Sequence, residues 1–288
     1  MIPKISIGLP VYNDSKYISK AIDSILNQSY TNFNLYISDN CSSDGTSDIC
    51  QAYAKNDIRI KYYKNDDNIG AAANFKRALV LGITDSCDYF MFARSEAILT
   101  PNLLDAMVNN LERNTDAVLA YPRTVWIDES GKTIENKPVA FYDTRGCVVG
   151  MRTAMVLWTK PFQIYGLMRS QYVKGFISKK WWQIIGYDHV FLLELALQGS
   201  FCFVENEKWF RRYRYTGETY NDRLNRTRKS LLIKPNLLDF RFPYIKVLYF
   251  LFISIKNSKI KFLDKLQCSI IIFFTAPLRY MVSRGKRI

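Results

Sequence analysis

Two periods of hydrophobic and polar positions alternate along the first hundred residues. Lys4-Ile-Ser-Ile-Gly-Leu-Pro10 predicts a short core strand stopping at its proline, and Tyr12-Asn13-Asp14-Ser15 supplies turn and helix-capping side chains. Ile18, Ala21, Ile22, Ile25 and Leu26 then recur at helical spacing. Asn34 to Ser38 predicts a second strand ending on Asp39. The polar turn Asp39 to Thr46 caps a following helix marked by Ile49, Ala52 and Tyr53. Arg59 to Tyr63, the loop Asn65 to Gly70, a helix over Ala71 to Leu81 and a fourth strand over Asp88 to Phe92 complete the series. Strands alternating with helices at this spacing predict a mostly parallel sheet covered on both faces. Pro10, Asp39, Asn68 and Arg94 all follow strands directly, so one sheet edge collects them, and ligands of open α/β sheets lie beyond that edge.

Beyond residue 120 the pattern changes. Tyr121 to Thr133 predicts a strand and then a hairpin turning at Glu129 to Lys132, followed by a loop over Phe141 to Val149 and a helix over Met151 to Trp158. Val190 to Leu197 reads as another helix, and Trp209 to Tyr215 ends a strand whose arginines face either phosphate or solvent. Trp181 and Trp182 fit the core better than a ligand-stacking platform. Glu194 reads as a solvated acid or part of a capping network, and His189 as a packing or hydrogen-bonding side chain. Two apolar stretches, Tyr244 to Ile255 and Leu266 to Leu278, are each too short for comfortable membrane spanning, which takes about 20 residues.

Composition narrows the class. The 288 residues are 48% hydrophobic and 15% aromatic, enough to bury a large core. Six cysteines form no CxxC pair and the single histidine leaves no zinc-type cluster, so reduced thiols in a cytosolic protein are expected. The amino terminus enters a strand directly, without the regions of a signal peptide. The net charge of +14 is concentrated at the end: from Arg241 onward ten basic residues face one acid, Asp264. A basic, apolar tail suits an interfacial segment on an anionic leaflet; the alternative is a pair of core helices with a solvated basic rim. No RNA-binding motif accompanies the charge, so nucleic acid is not an expected partner. Neither GxGxxG nor GxxxxGK[ST] occurs, which removes the main support for dehydrogenase and P-loop readings.

The candidate chemistry begins at Tyr89 to Pro101, where a buried-looking strand runs into Arg94, Ser95 and Glu96. Asp39, at its own strand end, could accept from a base imide or ribose hydroxyl, or could simply cap the next helix. Asp188 stands just ahead of the helix predicted from Val190 and, on the residues alone, reads as its cap.

Pro10-Val-Tyr-Asn13, Ser38 to Thr46, Asn68-Ile-Gly-Ala-Ala-Ala-Asn74, Tyr89-Phe-Met-Phe92 with Pro101, Ile164 to Arg169 and Gly186 to Gly199 resemble, in order and spacing, the family 2 glycosyltransferases of GT-A fold over roughly residues 4 to 215. The resemblance implies an α/β, Rossmann-like mixed sheet flanked by helices, in an inverting enzyme of the bacterial cell-surface polysaccharide type. It implies a GT-A domain over residues 1–230, with a nucleotide-sugar half (1–120) and an acceptor half (121–230); residues 231–288 form a helical, amphipathic extension. The donor would be a nucleotide-diphosphate sugar, usually of uridine, and the acceptor a glycan or lipid-linked hydroxyl at the inner membrane face. Carried over by position, Pro10, Tyr12 and Asn13 line the nucleoside pocket, and Asp39 binds the base or nucleoside. Asn68, Gly70 and Asn74 border the diphosphate and sugar, and Asp188 is the base that takes the acceptor proton.

One departure stands out. Where the family has Asp-x-Asp holding Mn²⁺ or Mg²⁺, this chain has Arg94-Ser95-Glu96; Glu96 can still offer a carboxylate to a hard cation, whereas Arg94 has no lone pair to donate. Two expectations follow. Either Arg94 clamps the diphosphate directly in place of metal charge, or catalysis is weakened and the protein serves as a nucleotide-sugar-binding partner of an active transferase.

Overall fold

The computed structural model describes residues 2–83, 87–135, 137, 139–214, 218–232 and 245–285. Four parallel strands form one half of the sheet: β1 (Ile5–Val11), β2 (Phe33–Asp39), β3 (Ile60–Lys64) and β4 (Tyr89–Phe92), in the order β3-β2-β1-β4. Every residue of β1 is buried, as expected of a central parallel strand with helices on both faces. Ile5, Ile7, Leu9 and Val11 join a core with α1 (Ile18–Leu26) and α4 (Leu103–Arg113) on one face. Across the sheet α3 (Ala71–Ile83) approaches so closely that a Cβ on Gly8 would lie 2.9 Å from Phe90 and 3.1 Å from the Ala78 carbonyl. The edge helix α2 (Thr46–Asn56) packs beside β3 and α1.

β1 does not stop at Pro10 but runs on to Val11, with Pro10 in register with Ser38. The missing proline N–H costs nothing here, because the pairing with β4 has already ended at Gly8↔Phe92. β3 and α3 also extend one or two residues past the boundaries the pattern suggests.

The second half is mixed. β7 (Leu167–Arg169) pairs antiparallel with β4 and with β6 (Ala117–Ile127); β6 lies parallel to β8 (Ser200–Arg212), and β5 (Ala97–Leu99) closes the edge antiparallel to β8. The hairpin expected after residue 127 reduces to a tight turn and a single bridge, Ile127↔Thr133, because β6 finds its long partner in β8 instead. α5 (Val149–Trp158), the short α6 (Ser170–Val173), α7 (Tyr187–Ala196) and α8 (Tyr220–Ser230) follow the strands.

Two tail helices, α9 (Ile245–Asn257) and α10 (Phe262–Gly285), pack on α7 and α5. Gly186, at φ +83° where glycine is favoured, admits α9 so closely that a Cβ there would meet Val247 at 3.1 Å. Glu194 is a correction to the solvated reading: it is buried and accepts from Trp181 Nε1 (3.0 Å) and Ser254 Oγ of α9 (2.8 Å), with Lys179 Nζ at 3.0 Å. A buried carboxylate needs such partners, and they tie the tail to the domain. Trp181 and Trp182 are both core residues, 2% exposed.

Candidate active site

Three clusters meet along the carboxyl ends of the strands. In the first, Asp39 is fully buried at the end of β2. Its Oδ1 accepts from the Ser42 N–H (3.0 Å), and its Oδ2 from Ser47 Oγ (2.6 Å) and Tyr62 OH (2.7 Å). Burial works to raise this carboxyl, but the hydrogen bonds from Ser42, Ser47 and Tyr62 outweigh it and hold it below the ordinary value. Half-buried Tyr62 is pushed up to about 12 by that partial burial and by the Asp39 charge it donates to. Asp39 is therefore an ionised, positioned acceptor.

Around it runs an asparagine network. Asn74 donates to the Ser38 carbonyl (2.8 Å) and the Val11 carbonyl (3.4 Å), and accepts from Ser38 Oγ (2.7 Å) and Asn65 Nδ2 (3.2 Å). All four of its hydrogen-bonding positions are filled, so it ties the ends of β1 and β2 to α3. Asn40 bridges Asn65 (3.0 Å) and Asn68 (2.7 Å), and Asn68 Oδ1 also accepts from the Gly70 N–H (2.9 Å). Gly70, at φ +83°, lies under Leu231, whose backbone a Cβ would meet at 3.2 Å. Pro10 is buried within β1, while Tyr12 is 46% exposed just beyond it. Asn13, at φ +50°, accepts from the Ser43 N–H (2.9 Å). Asn40 and Asn65 escape the sequence reading because asparagine in a turn is commonplace.

The second cluster replaces the acidic pair. Arg94 Nε donates to Glu96 Oε1 (2.6 Å) and Nη1 to Tyr165 OH (2.8 Å), while Ser95 Oγ donates to Asp14, whose other oxygen accepts from Arg214 (2.7 Å). Pairing of β5 with β8 builds this corner: Ala97 faces Arg211, so the residues just before β5 meet those ending β8. Glu96 is 5% exposed; burial pushes its carboxyl up, but Arg94, then Arg211 and Arg214, bring it down to about 2. Asp14 goes the other way, raised chiefly by burial with Glu96 adding to it.

Arg211 differs from its neighbours. Its guanidinium lies over Phe162 (4.9 Å), Trp126 (5.2 Å) and Trp209 (5.9 Å), and among the described residues no acceptor hydrogen-bonds it. Burial and the nearby Arg94 pull it down to about 10, still cationic at neutral pH, while Glu96 and Asp188 both act on it in the opposite sense. Asp14, Tyr165, Arg211 and Arg214 are the residues the sequence reading did not place in the site; the only signal for two of them was the arginine-rich run at Trp209 to Tyr215.

A divalent cation finds little to bind here. Arg94 has no lone pair, and both Glu96 and Asp14 already face cations and donors at short range. Among the described residues no group of three or more His, Cys, Asp or Glu side chains is arranged for a metal ion.

The third cluster is Asp188, one-third exposed in the first turn of α7 behind the left-handed Gly186. Its Oδ1 accepts from the His189 N–H (3.0 Å) and lies 3.2 Å from His189 Nδ1, whose ring is steadied by the Thr159 carbonyl at 3.4 Å from Nε2. The geometry leaves a carboxylate with accessible surface beside the arginine corner.

The family model of glycosyl transferase family 2 matches residues 6–178, more than half of the chain. A stretch of 140 residues, 47% of the chain, is 29% identical to chondroitin synthase of Escherichia coli and takes in 19% of that protein's length. The chain therefore spans about a fifth of that relative. The fold is similar to that of S. aureus TarS 1-349 solved with UDP-GlcNAc (TM-score 0.68, 16% identity, 94% of this chain and 71% of that one). It is also similar to the mannosyltransferase PcManGT of Pyrobaculum calidifontis solved with GDP-Man and Mn²⁺ (TM-score 0.61, 12% identity, 98% and 73%). The expected GT-A architecture is thus the observed one.

Proposed function

Since the chain belongs to glycosyl transferase family 2, we propose that it transfers a sugar from a nucleotide-diphosphate donor, a UDP-sugar first, to a hydroxyl of a glycan or lipid-linked acceptor with inversion. The observation that carries this reading is the alignment of three chemistries along one edge. Asp39 is held ionised and rigid for a nucleoside, the arginine corner offers positive charge for a diphosphate, and Asp188 stands beside that corner with its carboxylate accessible. Acceptor attack on the anomeric carbon transfers the hydroxyl proton to Asp188, while the C–O bond to the diphosphate breaks and its electron pair leaves with the phosphate oxygen.

Asn68, Gly70 and Asn74 shape the strand ends beside the donor, Asn74 from within the network. Pro10, Tyr12 and Asn13 form the rim of the nucleoside site, with Ser95 fixing Asp14 beneath it. Mn²⁺ or Mg²⁺ would have Glu96 as its nearest carboxylate, but the residues present do not fit that role and no step is assigned to a metal. Donor hydrolysis assays with UDP-sugars test the reading: turnover supports it, and binding without turnover would favour a silent, nucleotide-sugar-binding partner subunit.

The tail supports a place at an anionic membrane surface, peripheral to the inner face. On α10, Phe262, Leu266, Ile270, Phe273 and Phe274 are exposed along one stripe, while Cys268 and Ile272 are buried on the other face. Exposed Lys256, Lys259 and Lys261 lie beside its start. Among the described residues no helix is long and apolar enough to cross a membrane. Phe273→Asp with Phe274→Asp should abolish cosedimentation with vesicles containing phosphatidylserine and leave UDP affinity unchanged; equal sedimentation of both proteins would refute the tail assignment.

A further inference from the structure

We propose that Arg211, not Arg94, carries the positive charge that receives the donor diphosphate, and that Arg94 serves to neutralise Glu96 at the position where a metal would otherwise be held. The inference rests on the donor reading above. It starts from how the arginines at this corner are engaged. Arg94 gives its Nε to Glu96 and its Nη1 to Tyr165; Arg214 is bound to Asp14; Arg212 Nη1 donates to the Asp128 and Glu129 carbonyls, both at 3.1 Å. All four guanidiniums lie over aromatic rings, Arg94 over Tyr165 and both Arg212 and Arg214 over Tyr17, but Arg211, set against Trp126, Phe162 and Trp209, is the one that has no hydrogen-bond acceptor among the described residues.

The aromatic setting fits an anion site. Stacking on Phe162, Trp126 and Trp209 orients the guanidinium plane and removes water from its faces, while its N–H edges keep their donors. A partly desolvated cation without an acceptor is an unfavourable arrangement that a phosphate relieves with charge-assisted, bidentate hydrogen bonds. The position is also right for the chemistry. Arg211 stands opposite Ala97, next to Glu96, and feels the charges of both Glu96 and Asp188, so an anion on it would lie within electrostatic reach of the carboxylate that would otherwise hold a metal and of the base. Charge developing on the leaving diphosphate as the glycosidic C–O bond breaks would build up against this guanidinium.

Arg94 has a different task. An unpaired Glu96, 5% exposed, would put a negative charge where the diphosphate must lie. Two roles within one corner are separable by substitution.

The test is calorimetric titration of the full-length protein, in excess chelator, with UDP, uridine and inorganic pyrophosphate. Arg211→Met keeps the aliphatic stem against the rings and removes the charge. It should weaken UDP and pyrophosphate at least tenfold and leave uridine unchanged, and the retained uridine affinity also shows that the variant is folded. Arg211→Lys, which cannot offer a planar fork, should fall between. Arg94→Met should weaken UDP as well, and Arg94→Met with Glu96→Gln should recover most of the loss. Equal UDP affinity for wild type and Arg211→Met overturns the assignment while the donor reading stands, as does wild-type binding that requires Mn²⁺. If the double variant stays as weak as Arg94→Met, Arg94 is itself the clamp. Failure of wild type to bind both UDP and pyrophosphate under either condition removes the donor reading and this inference together. Arg211-dependent binding of pyrophosphate without UDP keeps the inference and changes the base.

Discussion

The two ends of the proposed donor cleft are built on opposite plans. Around Asp39 and Asn74 nearly every donor and acceptor has a partner within the protein, and the one charge is dispersed over three hydrogen bonds. At the arginine corner the charges are concentrated and paired at short range, and among the described residues one guanidinium, that of Arg211, has no acceptor. The first arrangement is complete within the protein; the second, on the proposed reading, is completed by an anion. Stability and binding should therefore respond oppositely to substitution in the two places.

Replacement of Asp39 by alanine should have the largest effect on folding. It strands the Ser42 N–H, the Ser47 hydroxyl and the Tyr62 hydroxyl in the interior, at a cost of about 3 kcal/mol or more, read as a lowered denaturant midpoint. Arg211→Met should move that midpoint by under ~1 kcal/mol, although it disables diphosphate binding. If the two variants are equally destabilised, the contrast between the regions fails.

Salt offers a finer separation. UDP affinity should fall steadily as ionic strength rises, because the phosphate contacts are ionic, while uridine affinity should stay nearly flat. Parallel curves would place the binding energy outside the arginine corner.

The smallest expected effect is on acid stability. Glu96 has a folded value near 2 against an ordinary 4.5, so its contribution is complete above pH 4.5 and is lost as pH falls toward 2. Asp14, raised, has the opposite sign and loses a penalty as it protonates. Wild type should thus lose more stability between pH 4.5 and 2 than Glu96→Gln does. Identical unfolding profiles over that window would mean that the Arg94–Glu96 pair contributes nothing to the fold.

What could be read in the chain differs between the same two regions. The strand–helix alternation to residue 92, and with it the row of Pro10, Asp39, Asn68 and Arg94, is written in local periodicity, since parallel strands buried on both faces announce themselves as apolar runs. The arginine corner is not local. Arg94 and Glu96 meet Arg211 and Arg214 only because β5 pairs antiparallel with β8, more than a hundred residues along the chain, and β8 is bulged against β6 between Pro122 and Arg123. Nothing in the spacing of Arg94 foretells Tyr165, and nothing in the spacing of Arg211 foretells Phe162. Glu194 was misread for a related reason: an acid in an apolar helix looks solvent-facing until Ser254 and Trp181 close over it. Asp39 is legible as a candidate from its place at a strand end and Asp188 through the family motif, and the partners of neither are.

The most direct test of the whole account is release of UDP from UDP-sugars, in excess chelator, by wild type and by Asp188→Asn. The account predicts turnover by wild type and a loss of about 10²- to 10⁴-fold in the variant, with UDP affinity the same in both. Unchanged turnover in Asp188→Asn, or turnover that appears only when Mn²⁺ is supplied, would contradict it.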